Sequence, residues 1–201
     1  MKMKRHLTRV VTAGGVSIGG NNPVRVQSMT NTRTVNTEAT IKQIKKLESA
    51  GCELVRVSVP DIKSAEAIKH IKRKIKIPLI ADIHFDHNLA LLAMKNGADK
   101  VRINPGNIGS DTKVREIIKT AKETGAAVRI GVNAGSLQKN IKTKLVTAGA
   151  GKKAADMAAS LLEYIEFFEA ENFGKIIVSL KSSDINTTVE AYKIFSSLRD
   201  Y

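Results

Sequence analysis

The sequence predicts an α/β fold: a (β/α)8 TIM-type barrel, truncated to about six βα units and preceded by a short N-terminal β-hairpin. Three observations predict it. From Pro23 onward, apolar strand-like runs alternate with amphipathic helical stretches. Polar residues stand at the ends of the runs, at Ser28, Ser58, Asp82, Asn104, Asn133 and Ser179, with intervals of 30, 24, 22, 29 and 46 residues. Those intervals match βα units of roughly 30 residues, the last enlarged by an insertion. The core palette is Ile, Val, Leu and Ala, with aromatics at 4% and no Trp, which suits buried parallel strands.

The hairpin is read from "RVVTAGGVSIGG", two short β-like runs around Gly-Gly, expected to act as a plug or lid over residues 1–22. The strands of the second region, 23–201, are "PVRVQSM", "LVRVSVP", "PLIADIHF", "KVRINPG", "AVRIGVNAG" and "KIIVSLKSSD". Helix signals fall between them: Asn36 or Thr37 opens one that ends at Gly51, Asn88 one that ends at Gly97, and Ser110 or Asp111 one that ends at Gly125. The longest helix is expected from about Ala154 to Asn172, with Gly174 beyond it. The stretch Asn104 to Gly109 reads as a turn.

Such an alternation closes either as a doubly wound sheet or as a barrel. An open sheet concentrates its chemistry at one switch point, so two or three strand ends carry it. Here all six are polar, as a barrel mouth requires, because every C-terminal strand end faces one basin. A full barrel needs about 250 residues. This chain has 201, so the last two units are expected to be absent from it.

Arginine stands inside four of these apolar runs, at Arg25, Arg56, Arg102 and Arg129. A buried charge without a partner is costly. Inward-facing guanidinium groups near a barrel mouth form a cationic basin, and guanidinium binds phosphate through a bidentate fork. Arg56, Arg102 and Arg129 are assigned to that basin; Arg25, early in its run, is expected to point outward and snorkel. "ADIHFD" places Asp82 and His84 at a strand end, suited to acid–base work or to holding a hydroxyl. Asp-x-His also occurs in metal sites, but no Cys or Glu cluster accompanies it, so no metal site is assigned to the chain. "SLKSSD" adds Ser179, Lys181 and Ser183. A lysine there is either a Schiff-base former or a point charge for phosphate, and the residues leave both uses open.

Thirty-three Lys and Arg against nineteen Asp and Glu give a formal charge of +14, which points to an anionic ligand: a phosphorylated metabolite, a nucleic acid or an anionic surface. Many lysines, such as Lys42, Lys45, Lys46 and Lys69, have the spacing of solvated helix faces. Aromatics for base stacking are scarce and no nucleic-acid motif occurs, so nucleic-acid binding loses ground. No apolar run spans a bilayer and no signal core follows the basic N-terminus, so a cytoplasmic location is expected. Cys52 is the single cysteine, which excludes an internal disulfide and suits a buried structural thiol. Phosphate-loop, dinucleotide and serine-hydrolase motifs are absent.

In order along the chain, "VQSMTNT", "VRVSVP", "ADIHF", "RINPGNIG", "RIGVNAGSL" and "VSLKSSD" closely resemble the IspG (GcpE) family, the 4-hydroxy-3-methylbut-2-enyl diphosphate synthases of the non-mevalonate isoprenoid route. The resemblance implies a barrel that binds 2-C-methyl-D-erythritol 2,4-cyclodiphosphate and a further domain carrying a 4Fe-4S cluster. It implies two electrons from ferredoxin or flavodoxin, and a homodimer. On the matching positions it implies a diphosphate clamp of Arg56, Arg102 and Arg129 beside Lys181 and Ser179, a mouth shaped by Asn104, Asn107 and Asn133, and Asp82 and His84 near the substrate's carbons and hydroxyls. Two departures stand out: "IKTKLVTAGAGKKAAD", Ile141 to Asp156, replaces the Tyr-Gly and Pro-Thr segment usual in the family, and the cluster cysteines and a strand-end glutamate are missing. The chain is therefore expected to bind substrate without turning it over. Other phosphate-binding barrels, of lysine-aldolase or pterin-synthase type, are the alternative reading.

Overall fold

The computed structural model describes residues 6–137 and 151–201. It opens with the expected hairpin, β1 (Val11–Ala13) antiparallel to β2 (Val16–Ile18), with Val11 opposite Ile18. The two turn residues, Gly14 and Gly15, have φ of 54° and 89°, the left-handed pair that a two-residue hairpin turn requires. A Cβ on Gly14 would also lie 2.6 Å from the Asp99 carboxyl. The turn therefore reaches the underside of the main sheet, where Asp99 accepts from the Leu79 amide and pairs with Lys72.

Six parallel strands follow in sequence order: β3 (Gln27–Met29), β4 (Leu54–Ser58), β5 (Leu79–Asp82), β6 (Lys100–Ile103), β7 (Ala127–Asn133) and β8 (Ile176–Lys181). They form one curled sheet with helices between the strands, a TIM-barrel-like partial barrel. The order β3-β4-β5-β6-β7-β8 never reverses, so the doubly wound alternative, with its switch point, is excluded.

The helices are α1 (Thr37–Ser49), α2 (Ile62–Lys72), α3 (His87–Lys95), the single turn α4 (Pro105–Ile108), α5 (Asp111–Thr124), α6 (Lys152–Ala170) and α7 (Ile185–Leu198). Side chains of Asn36, Asp61, Asp86 and Asp184 accept the first free amides of α1, α2, α3 and α7. The cap of α3 is thus Asp86 and not Asn88, because an aspartate two residues earlier reaches the Asn88 amide first, at 2.9 Å. Gly125, at φ 73°, ends α5 as expected. The expected turn after β6 is a helical turn, with Asn104 as its cap and Pro at its first position. The helix expected from Ala154 begins at Lys152 and ends before Asn172, which takes a left-handed φ of 53°. Most of the divergent stretch, through residue 150, lies outside the described residues.

Side chains alternate across each strand. One set, including Val55, Val57, Ala81, Val101, Ile103, Val128 and Ile130, packs outward against Ile68, Ala93, Ile117, Leu161 and Phe168 of the helices. Each such Val or Ile contributes about 1.5–3 kcal/mol of burial. The other set faces inward. At its lower end Leu54, Ile80 and Ala127 pack on Val11 and Ala13 of the hairpin. The hairpin is therefore a plug at the N-terminal ends of the strands and leaves the mouth free. Cys52 is buried, as expected, and its thiol donates to the Leu54 carbonyl.

Candidate functional site

Strand register brings the inward set into tiers. Met29 lies beside Arg56, Ser58 beside Asp82, Asp82 beside Arg102, and Arg102 beside Arg129; higher up, Gly131 is level with Ser179 and Asn133 with Lys181. Arg56, Asp82, Arg102, Arg129 and Ser179 thus come from five successive strands and converge above the plug. On β3 the inward residue at the strand end is Met29 and not Ser28, which pairs with outward-facing Val55. Arg56 Nε lies 3.2 Å from the Met29 sulfur.

Asp82 is 5% exposed and faces the basin's cations. Its Oδ2 is 3.8 Å from Arg56 Nε and 3.4 Å from His84 Nε2, and its Oδ1 is 3.6 Å from Arg102 Nη1. Oδ1 accepts no hydrogen bond among the described residues. Arg102 is itself buried, whereas His84 is exposed and reaches in from the rim. Arg129 has no carboxylate within 4.0 Å among the described residues; its Nε donates to Ser179 Oγ at 3.1 Å. Burial, and next the charge of Arg56, lower the pKa of Arg129 below its usual value. Lys181, at the exposed end of β8, is also held below the usual lysine range, by partial burial and then by Arg129, Arg56 and Arg102.

Close packing here rests on a glycine. A Cβ on Gly131 would stand 3.1 Å from Arg102 Nε and 3.2 Å from Ser179 Oγ. Its hydrogen lets those two side chains lie flat against β7.

The asparagines play a different part from the arginines. Asn104 is buried, caps α4 through Gly106, and donates to Ser136 Oγ at 2.9 Å, fastening the end of β6 to the short 3-10 turn Ala134–Ser136 after β7. The Asn133 carbonyl in turn accepts from Ser136. Asn107 is half-buried and Ser183 exposed, and neither side chain makes a hydrogen bond among the described residues. Arg25 pairs with Glu53 at 2.8 Å and donates to the Ser17 carbonyl, tying the plug to β4. His87, at the start of α3, is mostly covered and lies 3.1 Å from Glu116.

Sequence reasoning missed Lys100, Gly131 and Ser136. Lys100 was legible, since it precedes Arg102 by two residues and so shares its face. It is 3% exposed, and burial first, then Arg129 and Arg56, push its pKa down to about 8. Together Lys100, Arg56, Arg102, Arg129 and Lys181 set five cations against Asp82. An arrangement of that charge can attract a compact polyanion. A separate cavity of about 710 Å³, lined by Arg33, Asp61, Asp86 and Leu89, lies over the loops beside the mouth. Its mixed charges offer no comparable preference for anions.

Among the described residues no three His, Cys, Asp or Glu side chains gather to hold a metal ion, and no helix is long and apolar enough to cross a membrane.

A family described as "GcpE TIM-barrel domain" matches residues 8–201. Curated relatives include the "4-hydroxy-3-methylbut-2-en-1-yl diphosphate synthase (flavodoxin)" of Fusobacterium nucleatum, 54% identical over 96% of this chain and 54% of its own length. The protein of that name from Thermodesulfovibrio yellowstonii is 55% identical over 99% of this chain and 56% of its own. The chain thus spans about half the length of the curated relatives it matches. Among solved structures, a 7,8-dihydropteroate synthase from Vibrio fischeri aligns over 94% of this chain and 73% of its own with a TM-score of 0.63 at 16% identity. The Plasmodium falciparum HPPK-DHPS aligns over 94% of this chain and 38% of its own with a TM-score of 0.68 at 11% identity. At such identities the likeness is one of fold.

Proposed function

The chain belongs to the GcpE TIM-barrel domain family, and on that premise we propose that it is the substrate-holding barrel of a 4-hydroxy-3-methylbut-2-enyl diphosphate synthase. The reaction is the reductive ring opening of 2-C-methyl-D-erythritol 2,4-cyclodiphosphate, with loss of water, in non-mevalonate isoprenoid synthesis. The observation that carries the reading is the convergence of Arg56, Arg102 and Arg129 on the inner face of the strands, the first two beside the single carboxylate of Asp82 and the third level with Arg102. Two phosphates in one ring carry two negative charges close together, and three guanidinium forks supply enough donors to surround both.

In this reading Arg56, Arg102 and Arg129 clamp the diphosphate, while Lys181 approaches from the rim and Ser179 holds Arg129 in place. Asp82 keeps the arginines aligned and, with His84, lies where a substrate hydroxyl is received. Asn104 and Asn133, through Ser136, set the height of the mouth; Asn107 and Ser183 line its outer edge. Among the described residues, 6–22 form the cap beneath, and 23–137 with 151–201 the partial barrel. The chain's residues therefore bind, orient and desolvate the cyclic diphosphate.

The electrons need another carrier. Cys52 is buried and its thiol is engaged with the Leu54 carbonyl, so it is not placed to ligate iron, and the described residues do not fit a 4Fe-4S cluster. We assign to the whole protein a cluster held by other residues, ferredoxin or flavodoxin as donor, a homodimeric state and a cytoplasmic location. The names of the relatives, which print flavodoxin, favour that donor.

The reading is tested by calorimetric titration of the 201-residue chain with the cyclic diphosphate. Arg102→Ala should weaken binding by at least about 1.5 kcal/mol, roughly tenfold, as for loss of a charge-assisted hydrogen bond. Unchanged affinity would remove the arginine basin from the binding site.

A further inference from the structure

Lys100 opens β6 on the same face as Arg102, with Ile80 and Ala127 as its ladder neighbours. It is 3% exposed, and its ammonium makes no hydrogen bond or ion pair among the described residues. The nearby charges that act on it are Arg129 and Arg56, both positive. Below it lies a cavity of about 280 Å³, which Lys100 lines together with Arg25, Gln27, Leu54, Arg129 and Ile18 of the plug. Arg25 is already paired with Glu53, so that carboxylate is occupied. An ammonium buried among cations with no acid beside it is costly by itself. The cost is offset when an anion binds overhead.

We propose that Lys100 is the floor of the anion site: the bound diphosphate is contacted from its sides by Arg56, Arg102 and Arg129 and neutralised from beneath by the Lys100 ammonium, so that binding draws a proton onto Lys100. This inference rests on the basin reading above and adds Lys100, as a fifth cation with a proton-linked affinity, to the contacts assigned there. Burial first, and then the positive charges of Arg129 and Arg56, push its pKa down to about 8. An anion reverses the local field and favours the charged form. Affinity is therefore highest where the free chain is already protonated, and it falls as pH rises past 8 because binding must then recruit a proton. The ligand does not confuse the reading, since each phosphorus of the cyclic diphosphate carries one strongly acidic oxygen and does not titrate in this range. The other groups that face the site are Asp82 from β5, Arg56 from β4, Arg102 from β6, Arg129 from β7, Lys181 from β8 and His84 at the rim. Lys181, also held below the usual lysine range, is present in every variant compared and cancels in the difference.

The test is calorimetric titration of the 201-residue chain with the cyclic diphosphate in buffers of different ionisation enthalpy, which counts protons taken up on binding. At pH 8 the unsubstituted chain should take up about half a proton more than Lys100→Met or Lys100→Arg, and its affinity should fall about tenfold between pH 7 and 9.5. Lys100→Met should bind about tenfold more weakly at pH 7 with a shallower pH dependence, whereas Lys100→Arg should keep the pH 7 affinity, because guanidinium stays charged. Uptake as large in either variant as in the unsubstituted chain overturns the proposal. Should Lys100→Met not fold, Lys100→Arg decides on uptake alone. No binding by the unsubstituted chain at any pH overturns the basin reading and this proposal together; binding that needs Arg102 but ignores Lys100 overturns this proposal only.

Discussion

The two faces of the same strands obey opposite rules. On the outer face Val55, Val57, Val101, Ile103, Val128 and Ile130 are fully buried under helices and bring no polar group. On the inner face, one residue away in each strand, stand Arg56, Lys100, Arg102 and Arg129, with Asp82 as counter-charge. The outer face gains stability from burial; the inner face gives some of it up by gathering like charges in a small volume. Stability and the proposed binding are thus separated by the strand's period of two.

Substitutions on the two faces should therefore have different signatures, and the largest effect is expected outside. Ile103→Ala should lower unfolding free energy by about 3 kcal/mol, as for a core truncation, while leaving the affinity of the folded fraction for the cyclic diphosphate unchanged; urea melts and calorimetry measure the two halves. Next comes Asp82→Asn, which removes the charge facing Arg56 and Arg102. It should cost about 2 kcal/mol of stability, and saturating cyclic diphosphate should restore more of the lost melting temperature than it adds to the unsubstituted chain. Gly131→Ala pushes a methyl group against Arg102 and Ser179, which must give by a few tenths of an ångström. Its stability loss should be near 1.5 kcal/mol, and unlike Ile103→Ala it should weaken anion binding as well. The smallest effect is the pH term. The folded pKa of Lys100, about 8, lies below its unfolded value, so the unfolded chain binds more protons and stability rises with pH above 8. The stability advantage of Lys100→Met over the unsubstituted chain should shrink by about 1 kcal/mol between pH 8 and 9.

The fold was legible in the sequence because strand and helix periods repeat, and because polar strand ends recur on six strands where a doubly wound sheet would need few. Arg56, Arg102 and Arg129 were legible for a local reason: a charge inside an apolar alternation has to face something. What was hidden depended on the third dimension. Ser28 and Met29 are adjacent, and only the register with Val55 and Arg56 decides which faces inward. Asn104 reads as a mouth residue, yet its amide is engaged by Ser136 and Gly106, from a turn 32 residues away and from its own helix. Arg25 was placed outward, and its pairing with Glu53 gives it a part in securing the plug. Lys100 was lost among the many lysines of a +14 chain, although its spacing from Arg102 places it on the inner face.

The central claim is that the inner-face arginines, rather than the loop cavity by Asp61 and Asp86, receive the diphosphate. A crystal structure of the chain with 2-C-methyl-D-erythritol 2,4-cyclodiphosphate tests it most directly. The account predicts phosphate oxygens within about 3.2 Å of guanidinium nitrogens of Arg56, Arg102 and Arg129, above the Lys100 ammonium. Phosphate density in the loop cavity, with Arg56 and Arg102 still turned toward Asp82 and Arg129 on Ser179, would contradict it.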